Sequence, residues 1–230
     1  ACTALTQALT KAHASMSKAV VYLIAGHEYK SGTATVNLET KSLPLSSTNP
    51  SDKTSTVFTT DTGYKADADV FSLTKGSLTL SAFTLQFTEG CVTNKGALVY
   101  MSDSGTVLLS SMTVSGTQST ANPYYVFNIR AGTLTFTNTL VTTLKLGSEP
   151  LIRDYDLRSA VTISLLRSNF TNIIREQGSG SVLEVDTSSS TLTITDCQFS
   201  SCCCPHNDAL SGAIYIPDSS GTFHFTTLAF

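Results

Sequence analysis

The feature that most constrains this chain is an eight-residue pattern, apolar-x-apolar-x-x-apolar-x-apolar, that occurs six times. It reads LTLSAFTL at Leu78–Leu85, VLLSSMTV at Val107–Val114 and LTFTNTLV at Leu134–Val141. It returns as ISLLRSNF at Ile163–Phe170, LTITDCQF at Leu192–Phe199 and FHFTTLAF at Phe223–Phe230. Successive starts lie 29, 27, 29, 29 and 31 residues apart. A period in this range marks a solenoid, in which one structural unit stacks on the next.

Within each unit, two period-2 pairs such as Leu78/Leu80 and Phe83/Leu85 are separated by a step of three. Period 2 places both members of a pair on one face of a strand, and the step of three fits a corner that keeps the apolar residues inward. Of the 24 inward slots 22 are apolar, in a chain that is 41% hydrophobic, and the exceptions are Thr139 and Ser168. A further strand precedes most units: Val70–Leu73, Leu98–Met101, Tyr125–Ile129, Val182–Val185 and Ala213–Ile216. Short polar turns carrying Gly76, Gly105, Gly132 and Gly221 lead into the units. The pattern therefore predicts an all-β parallel β-helix with about three strands per coil. Helical repeats of similar period need apolar residues at i, i+3, i+4 and i+7, and these Thr-, Val-, Ile- and Phe-rich units lack that spacing.

The continuous repeat argues for one domain over residues 18–230, regular from residue 70. Before it, Leu5, Ala8, Leu9 and Ala12 follow helical spacing. Residues 1–17 thus read as a short N-terminal helix capping the open end of the core. Residues Lys41–Asp69 are the least regular. Pro44, Pro50 and the run at 46–51 indicate a loop, with one or two imperfect coils around Leu43/Leu45 and Val57/Phe58.

A net charge of −3 with 13% charged residues provides no basic field for nucleic acid. No apolar run approaches the ~20 residues that span a bilayer. The chain begins at Ala1 without Met or a signal-peptide pattern, which reads as a mature form or an excised fragment. Its stop at Phe230, the last inward slot of the sixth unit, reads as a cut through a longer solenoid. The partners expected on that basis are further coils of the same chain or a neighbouring copy. Ser and Thr fill 67 of 230 positions, a surface commoner outside cells, so the expected location is extracellular or at the cell surface. One sequon, Asn169-Phe170-Thr171, is a candidate for glycosylation although it falls inside a repeat unit.

The apolar run Val20–Ile24 followed by Gly26-His27-Glu28-Tyr29 resembles the opening of right-handed β-helix proteins of the pectin lyase-like superfamily. Asp196-Cys197-Gln198-Phe199-Ser200-Ser201-Cys202, with Ser211-Gly212-Ala213-Ile214, is similar to the C-x-F-x-x-C and G-G-A-I elements of large repetitive surface β-helix proteins. Ser211 departs from the first Gly of that pattern. The resemblance implies the fold and a surface or adhesive role.

Three sets of residues are candidates for chemistry. The outward flanks of the first strand of each unit are almost all hydroxylic: Ser77, Thr79, Thr106, Thr133, Thr135, Thr162, Ser164, Thr191, Thr193 and Thr222, broken by Leu108 and His224. This face resembles the T-x-T arrays of some ice-binding proteins, while Thr is also simply a good polar strand former. It makes ice a candidate ligand; glycans are the other candidate partner, although the face offers no aromatic platform for them. The second set, Cys197, Cys202, Cys203 and Cys204 near His206, has no standard zinc spacing and points to loop disulfides or packed free thiols. No metal or cofactor is expected there. The third, Arg153-Asp154-Tyr155-Asp156-Leu157-Arg158, reads as a loop able to bind an acidic sugar through calcium, or as salt-bridged surface. The motifs of pectate lyases and polygalacturonases are absent, and no catalytic residue is assigned. The expected function is a non-enzymatic segment of a surface structural or adhesion protein. Ice binding is the first alternative, and a polysaccharide lyase or hydrolase the second.

Overall fold

The computed structural model describes residues 21–24, 27–30, 35–52, 56–59, 69–87, 97–116, 125–154, 159–185, 189–205, 212–217 and 221–230. The expected capping helix over 1–17 lies outside the described residues. Within them the chain is all β, with no helix.

The first strands are β1 (Val21–Leu23), β2 (Glu28–Lys30), β3 (Val36–Leu38), β4 (Ser42–Ser47), β5 (Val57–Thr59), β6 (Phe71–Leu73) and β7 (Ser77–Ser81). Next come β8 (Thr84–Gln86), β9 (Ala97–Met101), β10 (Thr106–Ser110), β11 (Thr113–Ser115), β12 (Tyr125–Ile129), β13 (Gly132–Thr137) and β14 (Leu140–Leu146). The last are β15 (Ile152–Asp154), β16 (Val161–Leu166), β17 (Asn169–Arg175), β18 (Leu183–Val185), β19 (Thr191–Ser200), β20 (Ile214–Tyr215) and β21 (Thr222–Ala229).

They form two parallel sheets. A 7-stranded sheet runs β20-β18-β15-β12-β9-β6-β3. A 14-stranded sheet runs β1-β4-β7-β10-β13-β16-β19, continues β17-β14-β11-β8-β5-β2, and has β21 attached to β19. Its two runs join because β19 passes through the corner unbroken, pairing Thr191–Thr195 with β16 and Gln198–Ser200 with β17. The coil around Leu43/Leu45 is part of the stack. Ser42–Ser47 is a strand between β1 and β7, although Pro44 and the serines there read as loop. Pro44 itself lies in this strand, in register with Thr79 of β7.

The corner predicted from the step of three has one cause. The fifth residue of every unit holds a left-handed backbone: Ala82, Ser111, Asn138, Arg167, Asp196 and Thr227 have φ between 48° and 60°. That conformation turns the chain so that the sixth residue points inward again. Four of these corners are stapled to the next layer: Ala82 N–H donates to Ser110 O (3.1 Å), Ser111 N–H to Thr137 O (2.9 Å), Asn138 N–H to Leu166 O (3.0 Å) and Arg167 N–H to Thr195 O (2.8 Å).

Inward residues form one continuous core. Leu78, Leu80, Phe83 and Leu85 are at most 1% exposed, as are Leu134, Phe136 and Val141 two layers on. Phe170 and Phe199 stack with ring centroids 5.1 Å apart, and Phe136 meets Phe127 edge-on at 5.2 Å. The two polar exceptions are buried beside the corner and satisfied there. Thr139 N–H donates to Ser168 Oγ (3.1 Å), Ser168 Oγ–H to Leu166 O (2.9 Å), and Thr139 Oγ1–H to Thr137 O (3.1 Å). Small hydrogen-bonding side chains suit this slot because the turning backbone leaves carbonyls facing the core.

Candidate functional site

On the first run of the larger sheet the outward side chains line up in parallel register. One rank is Ser42, Ser77, Thr106, Thr133, Thr162, Thr191 and Thr222, each opposite the next. The second is Pro44, Thr79, Leu108, Thr135, Ser164, Thr193 and His224. A third, Ser46, Ser81, Ser110, Thr137, Leu166, Thr195 and Thr226, follows the same register. The ten hydroxyl residues expected on this face are all in the first two ranks. The third rank escaped the sequence reading, which took only the flanks of the first apolar residue. Carrying the period-2 alternation one step further, to the residue before the corner, would have found it.

Hydroxyls recur along the solenoid at the strand separation of about 4.8 Å and across it at about 6.6 Å, twice the rise per residue. No rank contains an acidic residue, a lysine or an arginine. Neighbouring hydroxyls also bond to one another, as Ser77 Oγ does to Ser42 Oγ at 2.8 Å.

The charged cluster joins Arg153 and Glu184 of the smaller sheet to Arg175 at the end of β17 in the larger one. Arg153 and Asp154 belong to strand β15 rather than to the expected loop, and Arg153 is salt-bridged there, the other reading of this segment. They alternate as strand residues must. Arg153 points outward to Glu149 and, at 4.0 Å, Glu184. Asp154 is fully buried and accepts from the Ser190 hydroxyl. Residues Tyr155, Asp156, Leu157 and Arg158 lie outside the described residues.

Arg175, 3% exposed, completes the cluster. It donates to Glu184 Oε2 at 2.5 Å, to Ser148 O from Nε at 3.0 Å, and to the Ser179 and Gly180 carbonyls. Burial pushes the Glu149 carboxyl above its ordinary value, and Arg153 opposes the rise. Two arginines and two glutamates here neutralise one another and tie successive turns together. Sequence reading missed Glu149, Arg175 and Glu184, because the register that joins them is not readable from one repeat.

Cys197, Cys202, Cys203 and Cys204 are free thiols. Cys197 is buried in its inward slot and donates to Leu165 O and Thr195 O, both at 3.3 Å. Burial raises the Cys202 thiol to about 11, so it is protonated at neutral pH. Among the described residues no group of three or more His, Cys, Asp and Glu side chains is placed to hold a metal ion. His27 and His224 are exposed, and His13 and His206 lie outside the described residues. No described helix is long and apolar enough to cross a membrane.

No family model matches the chain, and no curated protein matches it. Among solved structures it is similar to one titled "Structure of PL6 family alginate lyase AlyGC". The TM-score is 0.43 at 13% identity, over 96% of this chain and 38% of that one. The chain therefore spans well under half the length of that lyase. The strand register itself identifies the architecture: this chain is a parallel β-helix.

Proposed function

We propose that this chain is a non-enzymatic, extracellular segment of a surface structural or adhesion protein, and that its working surface is the hydroxyl face. Each coil is read as three strands, one from each run of the large sheet and one from the small sheet, which keeps that face in register over the length of the stack. The observation that carries the proposal is the set of three hydroxyl ranks, interrupted only by Pro44, Leu108, Leu166 and His224. Uncharged donor–acceptor groups on a rigid sheet suit a neutral, hydroxyl-rich partner such as a glycan, because little side-chain entropy is lost on contact. The test is binding of the full chain to immobilised neutral polysaccharides, with Thr135→Lys and Thr193→Lys placed in mid-face. These variants should weaken binding roughly tenfold or more while leaving the melting temperature unchanged. Equal binding by both variants, or none by the parent across a broad panel, overturns the glycan assignment.

The two-dimensional regularity of the same ranks favours a second reading, ice binding, in which methyls and hydroxyls at fixed spacing order a water layer. It predicts thermal hysteresis and shaped ice crystals, both lost in Thr135→Lys. Growth indistinguishable from buffer removes it. In a polysaccharide lyase acting on an acidic sugar, an arginine or a cation receives the substrate carboxylate, whereas a hydrolase works through a pair of carboxylates. Arg153 and Arg175 are already engaged by Glu149 and Glu184, which weighs against a lyase site built on this cluster. Release of unsaturated or reducing sugar from acidic polysaccharides with calcium would reinstate it.

A further inference from the structure

We infer that Asn169 is an N-glycosylation site, and that the fold sets it apart from the hydroxyl face so that a glycan leaves that face open. The sequon Asn169-Phe170-Thr171 opens β17, where alternation splits its members. Phe170 is fully buried in the aromatic stack, while Asn169 is exposed and Thr171 half-buried on the outer side. The Asn169 side-chain amide makes no hydrogen bond to another described residue, whereas its backbone is committed to the ladder, its N–H to Thr139 O at 2.9 Å.

The neighbours form a second, independent observation. In the register of β14, β17 and β19, Asn169 stands between Leu140 and Gln198. Leu140 is 38% exposed, one of few large apolar side chains left open to solvent. A sugar on Asn169 covers it. The left-handed corner at Arg167 separates Asn169 from Thr162, Ser164 and Leu166 on the hydroxyl face.

In the transfer step, Nδ2 of Asn169 bonds to C1 of an oligosaccharide carried on a polyprenyl pyrophosphate. The C1–O bond to the carrier breaks, the lipid pyrophosphate leaves with the electron pair, and one amide proton passes to a base of the oligosaccharyltransferase. The transferase acts on the extended segment before β17 is paired on both sides. Folding then proceeds unhindered because the modified side chain points outward.

The inference rests on the extracellular reading, and the two fail separately. The experiment translates the full chain behind a cleavable signal peptide into endoplasmic-reticulum microsomes, then secretes it from a eukaryotic line. One glycosidase-sensitive mobility shift is expected, lost in Asn169→Gln and Thr171→Ala and kept in Thr171→Ser. Secreted glycosylated chain and Asn169→Gln should melt together and show equal hydroxyl-face binding. An unmodified parent in microsomes, where export and folding are not required, overturns the site and leaves the hydroxyl-face proposal standing. A glycan that persists in Asn169→Gln, or one that abolishes folding, overturns it as well.

Discussion

Nine described residues other than glycine hold a positive φ, and their spacing is the repeat itself. Six form the corner inside the unit, and Thr143, Asn172 and Ser201 form a second corner farther along. Asparagine adopts this conformation readily, whereas a β-branched side chain is the worst choice. Thr143, with φ 55°, occupies the position filled by Asn172 one layer on. Thr143→Asn should therefore raise stability by about 0.5–1 kcal/mol, even with its hydroxyl contact to Thr142 lost. An unchanged or lower urea midpoint would refute that account of the corner. Asp69 tests electrostatics at the same scale. Burial raises its carboxyl above the ordinary 3.8, opposed by the Ala97 N–H that donates to Oδ1 at 2.8 Å. The folded state then holds this proton more tightly than the unfolded state does. The associated stability is fully present below 3.8 and is lost as pH rises through the raised folded value. Asp69→Asn keeps the acceptor and removes the titration. Urea unfolding from about pH 3 to about pH 7 should show the parent losing ground to the variant across that window, and a constant difference would exclude the effect.

At the scale of elements, the turns into the larger sheet depend on close backbone approach. Gly132 has φ +101°, and a Cβ there would lie 2.3 Å from Gly105 O, while Gly147 has nothing within 4 Å. Gly132→Ala should cost about 2–3 kcal/mol, and Gly147→Ala should stay within about 0.5 kcal/mol. Comparable losses in thermal unfolding would mean that the turn tolerates a side chain. These elements also mark where the sequence was legible. The inward slots were readable because burial forces a period, so Leu78, Phe136 and Ile194 announced their strands. Strand β15 was not, because only Ile152 of its three residues is apolar and Arg153-Asp154 resembles an exposed turn. Strand β4 was legible only through Leu43 and Leu45, because Pro44 and the serines around it resemble a loop. The site divided in the same way. Period-2 alternation exposed two hydroxyl ranks, whereas the Glu149–Arg153–Arg175–Glu184 cluster depends on contacts between layers that no single repeat encodes.

For the whole molecule, a quasi-one-dimensional stack makes stability nearly a sum over layers and their interfaces, so position along the axis should govern how much a core residue matters. Phe136 on β13 is fully buried, with β10 on one side and β16 on the other. Phe225 holds the corresponding slot on β21, which pairs with β19 alone among the described strands, and remains 47% exposed. Phe136→Ala should therefore cost about 3–5 kcal/mol. Phe225→Ala removes far less buried surface and should cost less than about 1 kcal/mol. Native-state hydrogen exchange of the 230-residue chain supplies the spatial counterpart: protection should be highest in β13 and β16 and fall through β19 to β21. Phe225→Ala should shorten that gradient without touching β13, whereas Phe136→Ala should depress protection on both sides at once. If both substitutions lowered protection uniformly, the layers would be folding as one cooperative body, and the additive description of this β-helix would be wrong.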